Sequence, residues 1–231
     1  MAHPLTNRLL DSLSPATRSE LLLLLEPVPL PLRTSMFEVG ETPRYVHFLT
    51  SGLCSIVTAM SGGDGVEVGL SGREGLPQGI HLLGPERGDT LAFMQVAGTG
   101  LRMDFERFAH EFRKSPDLNA AVLRSVQSES LVMGQLAACN RLHEIEERLA
   151  RWLLMVADRT GELKMELTQE FLSEMLGARR SSVTIAAGAL QRSGIIDYRR
   201  GHIGILDRER LEDAACECYP ITRRLFHNLY R

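Results

Sequence analysis

The spacing of hydrophobic positions changes twice along the 231 residues of the chain. Residues 5–26 have a helical pattern, with Ser14 as a suitable N-cap and Pro15 at the first helical position, and the prolines of PVPLPL end it. Residues 33–104 then contain short apolar runs separated by glycine-rich turns such as SGGDG and SGREG, which predicts strands. Short strands at this spacing predict an antiparallel barrel or sandwich. The predicted strands are YVHFL, CSIVTAM, VEVGL, LAFMQV and LRMDF.

A helical period returns after Pro116. An apolar stripe within about 120° of arc predicts one buried face on a helix of about 20 residues, or roughly 30 Å. Ser125 and Glu129 lie inside this stripe, where either a neighbouring chain or polar group satisfies them or they contact a ligand. The stripe consists of Leu118, Val122, Val126, Val132, Met133 and Leu136. A second helix is predicted at about 142–158, with Ile145, Leu149, Trp152, Leu153 and Val156 on one side.

Residues 169–188 fit the twenty-residue pattern of a helix-turn-helix. Ser173, a small residue at the fifth place, lets two helices cross closely, and Gly177 at the ninth place permits a left-handed turn. Thr168 is a suitable N-cap for the first helix, and its hydroxyl would lie near a DNA backbone. The apolar places of the pattern are filled by Leu172, Leu176, Ala178, Val183 and Ala186.

The second helix of this motif is predicted to have an apolar and a polar face. Arginines at a helix N-terminus are unfavourable for the helix dipole, so an anionic partner such as the DNA major groove is expected there. A solvated turn is the alternative, but exposed Ile185 suits a thymine methyl better than solvent. The inward residues are Val183, Ala186, Ala187 and Leu190; the outward residues are Ser181, Thr184, Ile185, Gly188 and Arg192; Arg179, Arg180 and Ser182 crowd the first turn.

The segment after this helix, GIIDYRRGHIGIL, alternates apolar and polar residues around a turn. It predicts a two-stranded wing with Arg199 and Arg200 at its tip, over DNA phosphates. Residues 207–231 are predicted to form a helix that is broken near Pro220 and packs against the DNA-binding domain. The residues that share its apolar face are Leu211, Ala214, Ala215 and Cys218.

The net charge of −3 says little about nucleic acid, but its distribution does. Residues 1–138 carry −4 and residues 139–231 carry +1, while residues 179–200 contain five arginines and one acidic residue, Asp197. Positive charge is therefore concentrated at the predicted helix-turn-helix and wing. Because the sequence has no apolar run long enough to span a bilayer and no signal-peptide pattern, we expect a cytoplasmic protein.

The cysteines show no CxxC or zinc-finger spacing. This argues against a disulfide framework and against a structural metal, so no metal ligand is predicted. Cys216 and Cys218 are expected to point to different sides of a helix. We interpret Cys54, Cys139, Cys216 and Cys218 as small residues in partly buried positions.

In this order the features resemble the CRP/FNR family of bacterial transcription regulators. The resemblance rests on YVHFLTSGLCSIV, RLHEIEERLARWLLM and LTQEFLSEMLGARRSSVTIAAGALQRSGII, and it covers nearly the whole chain. It implies an α+β fold with an N-terminal antiparallel β-roll, a jelly roll like that of cyclic-nucleotide-binding domains. Residues 1–115 would be this sensor domain with its N-terminal helices, residues 116–138 a dimerisation helix, and residues 139–231 a winged helix-turn-helix domain. The implied partners are double-stranded DNA, a second copy of the chain and, as a further candidate, RNA polymerase.

The resemblance also implies roles for individual residues. Base contacts are implied for Arg180, Ser181 and Ile185, and Arg180 is expected to bind a guanine through two hydrogen bonds. Many family members carry charged side chains where this chain has Ser181 and Ile185, so its operator should differ from theirs. Phosphate contacts are implied for Thr168, Arg179 and Ser182, with Gln169 and Thr184 as additions.

The region expected to bind an effector departs from the cyclic-nucleotide pattern of the family. That pattern has Gly-Glu followed by Arg-Ser/Thr-Ala, whereas GLPQGIHLLGPERGDTLAF has Arg87 followed by Gly88 and Asp89. A carboxylate beside the phosphate would repel it, so we expect neither cyclic AMP nor cyclic GMP to bind. An unknown small effector, or none at all, stays open.

Neither iron–sulfur nor haem sensing is expected. Iron–sulfur members have clustered N-terminal cysteines, whereas the first cysteine here is Cys54. The His3-Pro4 pair and His81 are the available haem ligands, but lone histidines are more often structural. We therefore predict no cofactor.

We predict a homodimeric regulator that reads a near-palindromic operator through a recognition helix at about 179–191. The alternative is a ligand-binding sensor module whose helix-turn-helix contacts protein, against which the concentration of arginines argues. The chain has no nucleophile elbow, HExxH, P-loop or GxGxxG motif, so we predict no catalytic residues and no enzyme.

Overall fold

The computed structural model describes residues 6–62, 65–86 and 88–230. His3, Pro4 and Arg87, which the sequence analysis weighed as effector ligands, lie outside the described residues. The helical stretch predicted over residues 5–26 consists of two short helices, α1 (Arg8–Asp11) and α2 (Pro15–Leu22). The Ser14 side chain accepts a hydrogen bond from the Thr17 N–H, which confirms the predicted cap of α2.

Antiparallel strands fill most of the next eighty residues and form two facing sheets, with strand orders β1-β7-β3 and β2-β6-β4-β5. Leu30 and Leu49 of the first sheet pack with Ile56 and Met94 of the second, so the apolar interior lies between the sheets. We call this pair of sheets the β-roll. Its strands are β1 (Glu26–Leu30), β2 (Ser35–Phe37), β3 (Tyr45–Leu49), β4 (Leu53–Ala59), β5 (Gly65–Ser71), β6 (Thr90–Val96) and β7 (Gly98–Asp104).

The five predicted strands are confirmed, with small shifts at their ends, but β1 and β2 were not predicted. β1 contains Pro27 and Pro29, which the sequence analysis took only as a helix stop. Because β1 pairs with β7 alone, it is an edge strand, where a missing N–H need not find a partner.

Helix α3 (Phe105–Lys114) follows β7 and was also not predicted. Its N-cap is Asp104, whose side chain accepts a hydrogen bond from the Arg107 N–H. Phe105, Phe108 and Phe112 are buried at the three- and four-residue spacing of a helix face.

The long helix α4 (Pro116–Leu142) has 27 residues, about 40 Å, and so runs past the predicted end at residue 138. Gly134 does not break it, and the helix ends where His143 turns to an extended conformation. The predicted stripe is buried against the β-roll and α3, except that Met133 is only partly buried.

The helix-turn-helix and wing are confirmed, with one addition. The wing strands pair with a third strand, β8, in the order β8-β10-β9, rather than forming the two-stranded wing predicted. No helix among the described residues is long and apolar enough to cross a membrane. The elements after α4 are α5 (Ile145–Thr160), β8 (Lys164–Glu166), α6 (Gln169–Met175), α7 (Arg180–Arg192), β9 (Ile196–Arg199), β10 (His202–Ile205), α8 (Arg208–Asp213) and α9 (Cys218–Asn228).

The C-terminal helices differ from the prediction in their break and in their packing. The break lies at residues 214–217, because Pro220 is in the first turn of α9, where its missing N–H has no cost. α9 packs mainly against α4 and α5. It also reaches the N-terminal part of the chain, where the Tyr230 hydroxyl donates to the Glu74 carbonyl at 2.7 Å.

Three of the four cysteines lie together, although their spacing in the sequence predicted no metal site. The sulfurs of Cys139, Cys216 and Cys218 lie together beside the His143 ring, within 4.8 Å of one another. The expectation that Cys216 and Cys218 point to different sides of a helix is wrong, because Cys216 lies in the turn before α9 and not within a helix.

Candidate nucleic-acid interface

The turn between α6 and α7 is held by backbone geometry and a cap. Thr168 caps α6, its hydroxyl accepting a hydrogen bond from the Phe171 N–H at 3.1 Å. Gly177 adopts φ +53°, the left-handed conformation that the motif requires. α7 then begins after Arg179, whose side chain forms no capping hydrogen bond.

The two faces of α7 are those predicted. Val183 and Leu190 are fully buried and Ala186 and Ala187 almost so, and they pack on α5 and α6. Arg180, Ser181 and Thr184 are exposed on the opposite face. Ile185 is 70% exposed there. Gly188, predicted to point outward, is only partly exposed.

A polar contact ties the start of α6 to α7. The Thr184 hydroxyl lies 3.1 Å from the Gln169 amide oxygen and 2.9 Å from the Arg180 carbonyl oxygen, and its one proton serves these two acceptors. Gln169 is therefore held against the exposed face of α7.

A cleft of about 300 Å³ lies where the N-termini of α6 and α7 meet the wing. Tyr198 in its floor was not singled out by the sequence analysis. The Tyr198 hydroxyl donates to the Leu167 carbonyl at 3.0 Å, and this bond fixes the wing against the start of α6. Burial raises the pKa of Tyr198 and the nearby Arg180 guanidinium opposes this, so Tyr198 stays a neutral donor near pH 7. The cleft is lined by Thr168, Gln169, Arg180, Tyr198, Arg200 and Gly201.

The tip of the wing is a tight turn with positive φ at two residues, Arg200 at +51° and Gly201 at +82°. An arginine is uncommon in this conformation, since its Cβ crowds the backbone. The turn projects the exposed Arg200 beside the cleft, whereas Arg199 is paired with Asp197 at 2.9 Å in an exposed ion pair.

The predicted site residues thus fall into separate places. Thr168, Gln169, Arg180 and Arg200 share the cleft, and Ser181 and Ile185 lie farther along the exposed face of α7. Arg179 instead lines a second hollow with Val66, Glu170 and Glu174, facing the β-roll, and Ser182 is half-buried.

The comparison with known proteins agrees with this geometry. Residues 147–214 match the family described as the Crp-like helix-turn-helix domain. The chain carries a Crp-like helix-turn-helix domain in a CRP/FNR-type fold. No curated protein matches the chain in sequence.

Three solved structures show how far the CRP/FNR-type fold extends along the chain. A crp/fnr family regulator of Eubacterium rectale is 16% identical, with a TM-score of 0.69 over 89% of this chain and 96% of that one. FixK2 of Bradyrhizobium japonicum is 14% identical, with a TM-score of 0.68 over 83% and 98%. The c-di-GMP-responsive regulator CLP of Xanthomonas campestris is 16% identical, with a TM-score of 0.69 over 83% and 99%. At these identities the likeness establishes the fold alone.

The space between the β-roll and α4 of this CRP/FNR-type fold is nearly closed. A cavity of about 30 Å³ remains, the volume of about one water molecule. The Arg159 guanidinium and the Glu74 carboxylate pair across it at 2.7 Å, both buried. Ser125 and Glu129 of α4 line the cavity, as does Phe226 of α9.

The two polar residues of the α4 stripe have different surroundings. The Ser125 side chain bonds with Tyr230, and Glu129 faces the ion pair of Glu74 and Arg159. Desolvation raises the pKa of Glu129 to about 8, and the negative charge of Glu74 adds to this. His81 packs edge-on against Phe37, with 4.7 Å between ring centroids.

Proposed function

We propose that the protein is a homodimeric, sequence-specific DNA-binding transcription regulator that reads a near-palindromic operator through α7. One observation carries the proposal: the exposed first turn of α7 presents Arg180 beside the wing arginine Arg200, around one cleft. The fold and the Crp-like domain are consistent with this function.

The charge at this turn favours an anionic partner. A helix N-terminus carries about half a positive charge, which Arg180 increases. Within the described parts of the chain, no carboxylate forms an ion pair with Arg180 or Arg200. The first turn of α7 also has no acidic residue. Phosphates and guanine acceptors in the major groove would offset this charge.

The exposure of each side chain indicates which part of the DNA it would contact. Arg180 would bind a guanine, and Ile185, which protrudes farther along α7, would contact a thymine methyl, with Ser181 between them. Thr168, Gln169, Thr184 and the wing arginines would contact phosphates. Arg179 is exposed but lines the hollow that faces the β-roll, and Ser182 is half-buried, so we expect weaker contributions from them.

Dimerisation would use a second stripe on α4, opposite the one packed on the β-roll. Leu123 and Leu131 are 43% and 54% exposed on this stripe, where an isolated chain would leave them in water. Its members recur every three or four residues, the spacing of a coiled-coil seam. They are Ala120, Leu123, Gln127, Leu131, Gly134, Ala138 and Leu142, and all are exposed.

The test of DNA binding is selection of sites from a random pool by ligand-free protein. Recovery of a palindrome with half-sites one helical turn apart is expected. Arg180→Ala should then weaken binding about 5- to 150-fold per half-site, which corresponds to about 1–3 kcal/mol for a lost bidentate contact. Arg113→Ala removes the same charge from α3, far from the interface, and should change affinity little.

These variants separate the proposal from its alternative, a sensor module whose helix-turn-helix contacts protein. If no DNA site is selected, or if Arg180→Ala and Arg113→Ala bind the selected site equally well, the specific role of α7 is refuted. The dimer is tested by light scattering: Leu131→Glu should give a folded monomer, whereas Leu23→Glu, at the 86% exposed end of α2, should stay dimeric.

We further propose that no cyclic nucleotide, haem or iron–sulfur cluster is needed for DNA binding. The cavity beside α4 has room for about one water, and the Glu74 and Glu129 carboxyls beside it would repel a phosphate when ionised. Selection without added ligand tests this directly. An effector of another chemistry would have to open the cavity first, and RNA polymerase would be the partner at a promoter.

A further inference from the structure

Three thiols and one imidazole meet at the junction where α4 ends and α9 begins. Cys139 lies in the last turn of α4, His143 caps that helix, and Cys216 and Cys218 lead into α9. The cysteine sulfurs and a ring nitrogen of His143 all lie within 4.8 Å of one another. The three cysteines are buried and His143 is partly buried.

Two distances within this cluster are close to those of a tetrahedral ion site. The Cys139 and Cys216 sulfurs are 3.5 Å apart, and the Cys218 sulfur lies 3.5 Å from Nδ1 of His143. Zinc bonds of about 2.3 Å to sulfur and about 2.0 Å to nitrogen place two sulfurs about 3.8 Å apart, and sulfur and nitrogen about 3.5 Å apart. A disulfide would bring two sulfurs to about 2.05 Å.

The surrounding polar groups are placed as in a metal site. Nδ1 of His143 faces the cluster, while Nε2 lies 3.7 Å from a carboxylate oxygen of Glu217. Ligating histidines commonly place their second nitrogen against a carboxylate in this way, which fixes the ring. The Gln135 amide nitrogen donates to the Cys218 sulfur at 3.1 Å, a contact that stabilises a thiolate.

The buried charged side chains near the cluster are positive, which favours a site built from thiolates. Arg148 and Arg151 of α5 are 8% and 3% exposed and act electrostatically on the cluster. Within the described ranges neither guanidinium pairs with a carboxylate: Arg148 donates to the Leu176 carbonyl and Arg151 to the Met155 sulfur. Three thiolates around one divalent ion carry −1, which would offset this buried positive charge.

We propose that Cys139, His143, Cys216 and Cys218 bind one Zn²⁺ ion in a closed structural site. Four protein ligands leave no open position for a substrate, so the ion would support structure and not catalysis. Binding replaces three thiol protons with the ion and releases them to solvent. The compact spacing suits a single ion, since an iron–sulfur cluster would hold its cysteines apart by its own iron and sulfide atoms.

The ion would connect the dimerisation helix to the C-terminal helix. Two ligands come from the end of α4 and two from the start of α9, which packs on α4 and α5. Loss of the ion should therefore loosen the attachment of the residues after 142 to α4. This consequence does not depend on DNA binding, so failure of either proposal leaves the other standing.

The test is metal analysis of the untagged full-length protein, expressed with zinc in the medium and purified anaerobically. About one zinc per chain is expected. Replacement by Co²⁺ should give sulfur-to-cobalt charge-transfer absorption together with the visible bands of a tetrahedral ion. Removal of zinc by a chelator should lower the melting temperature, and adding zinc back should restore it.

The variants define the ligands. Cys218→Ser and His143→Gln should each lower zinc affinity at least tenfold, and Glu217→Gln should lower it about tenfold through the His143 ring. Cys54→Ser is the matched control, because Cys54 is the buried cysteine of β4 outside the cluster. Protein that is folded and fully reduced but binds neither zinc nor Co²⁺ would overturn the proposal. So would a Cys139–Cys216 disulfide in the anaerobic protein, which would indicate a redox pair instead.

Discussion

Because of Glu67, the native protein should lose stability as the pH rises toward neutrality. Replacing Glu67 with glutamine should remove this loss. Glu67 lies in β5 and is 4% exposed. Its carboxyl accepts hydrogen bonds from the Ser55 hydroxyl at 2.8 Å and from the indole N–H of Trp152 at 2.7 Å. Burial raises the pKa of Glu67 to about 7, although these two hydrogen bonds and two arginines oppose the rise.

The magnitude follows from the gap between the folded and unfolded pKa values. The unfolded value is near 4.5 and the folded value is about 7. Below pH 4.5 the group is protonated in both states, so its contribution is constant. Between 4.5 and 7 the unfolded chain loses the proton while the folded chain keeps it, and stability falls. At 1.36 kcal/mol per pKa unit the total loss is about 3 kcal/mol.

Urea unfolding at several pH values between 4.5 and 8.5 measures this effect. The fluorescence of Trp152, the single tryptophan of the chain, reports unfolding from the residue that donates to Glu67. The difference in the free energy of unfolding between Glu67→Gln and the native protein reports on this carboxyl alone, because Glu129 and other groups contribute equally to both proteins. This difference should increase in favour of the variant up to about pH 7. Glu41→Gln, on the exposed surface, is the control. Parallel stability curves for Glu67→Gln and the native protein would refute the reasoning.

Three further substitutions test the packing of the Crp-like domain by urea unfolding. Thr168→Ala should cost about 1 kcal/mol through loss of the α6 cap, and Thr168→Ser should recover most of it. Gly177→Ala should cost at least about 1 kcal/mol, because φ is +53° and the new methyl would lie 2.7 Å from Cγ2 of Val66. The same substitution in a Val66→Ala background should recover only the part of this loss that comes from the contact with Val66. Leu190→Ala, at a fully buried position, should cost about 2–5 kcal/mol, and a smaller loss would mean that α7 is loosely packed.

The helix-turn-helix could be predicted because its pattern is local. The spacing of Leu172, Val183 and Ala186 and the glycine at 177 specify two crossing helices within twenty residues. Burial of the apolar face then determines which side of α7 is exposed, so the exposure of Arg180 and Ile185 could be predicted from the sequence. The cleft itself was not predicted, because it needs Tyr198 to hold the wing near α6.

The parts that sequence reasoning missed depend on contacts between distant segments. Cys139 and Cys216 are 77 positions apart, and only the return of α9 to the end of α4 brings them together. A search for the CxxC motif does not find the proposed ligands, because they occur in the sequence as CxxxH (residues 139–143) and CxC (residues 216–218). The spacing of Cys139 and His143 by four residues, one helical turn, was the available signal.

The second apolar stripe of α4 was missed for a different reason. Leu118 and Val122 already gave the helix a buried face, so Leu123 and Leu131 looked like ordinary exposed residues. A helix that is apolar on two faces can bury both only against two partners, and we have proposed a second copy of the chain as the outer one. The second stripe therefore supports the proposed dimer independently of the family resemblance.

Helix α5 links α7 to the N-terminal part of the chain. Trp152 and Arg159, one on each half of α5, bind Glu67 and Glu74 of the N-terminal part, while α5 also supplies much of the surface on which α7 packs. The two parts also share one apolar core, because Leu53 and Leu70 of the β-roll are buried in the same cluster as Leu190 of α7. Turning α7 together with α5 away from the β-roll would expose part of this core, in addition to breaking the hydrogen bond of Trp152 and the ion pair of Arg159.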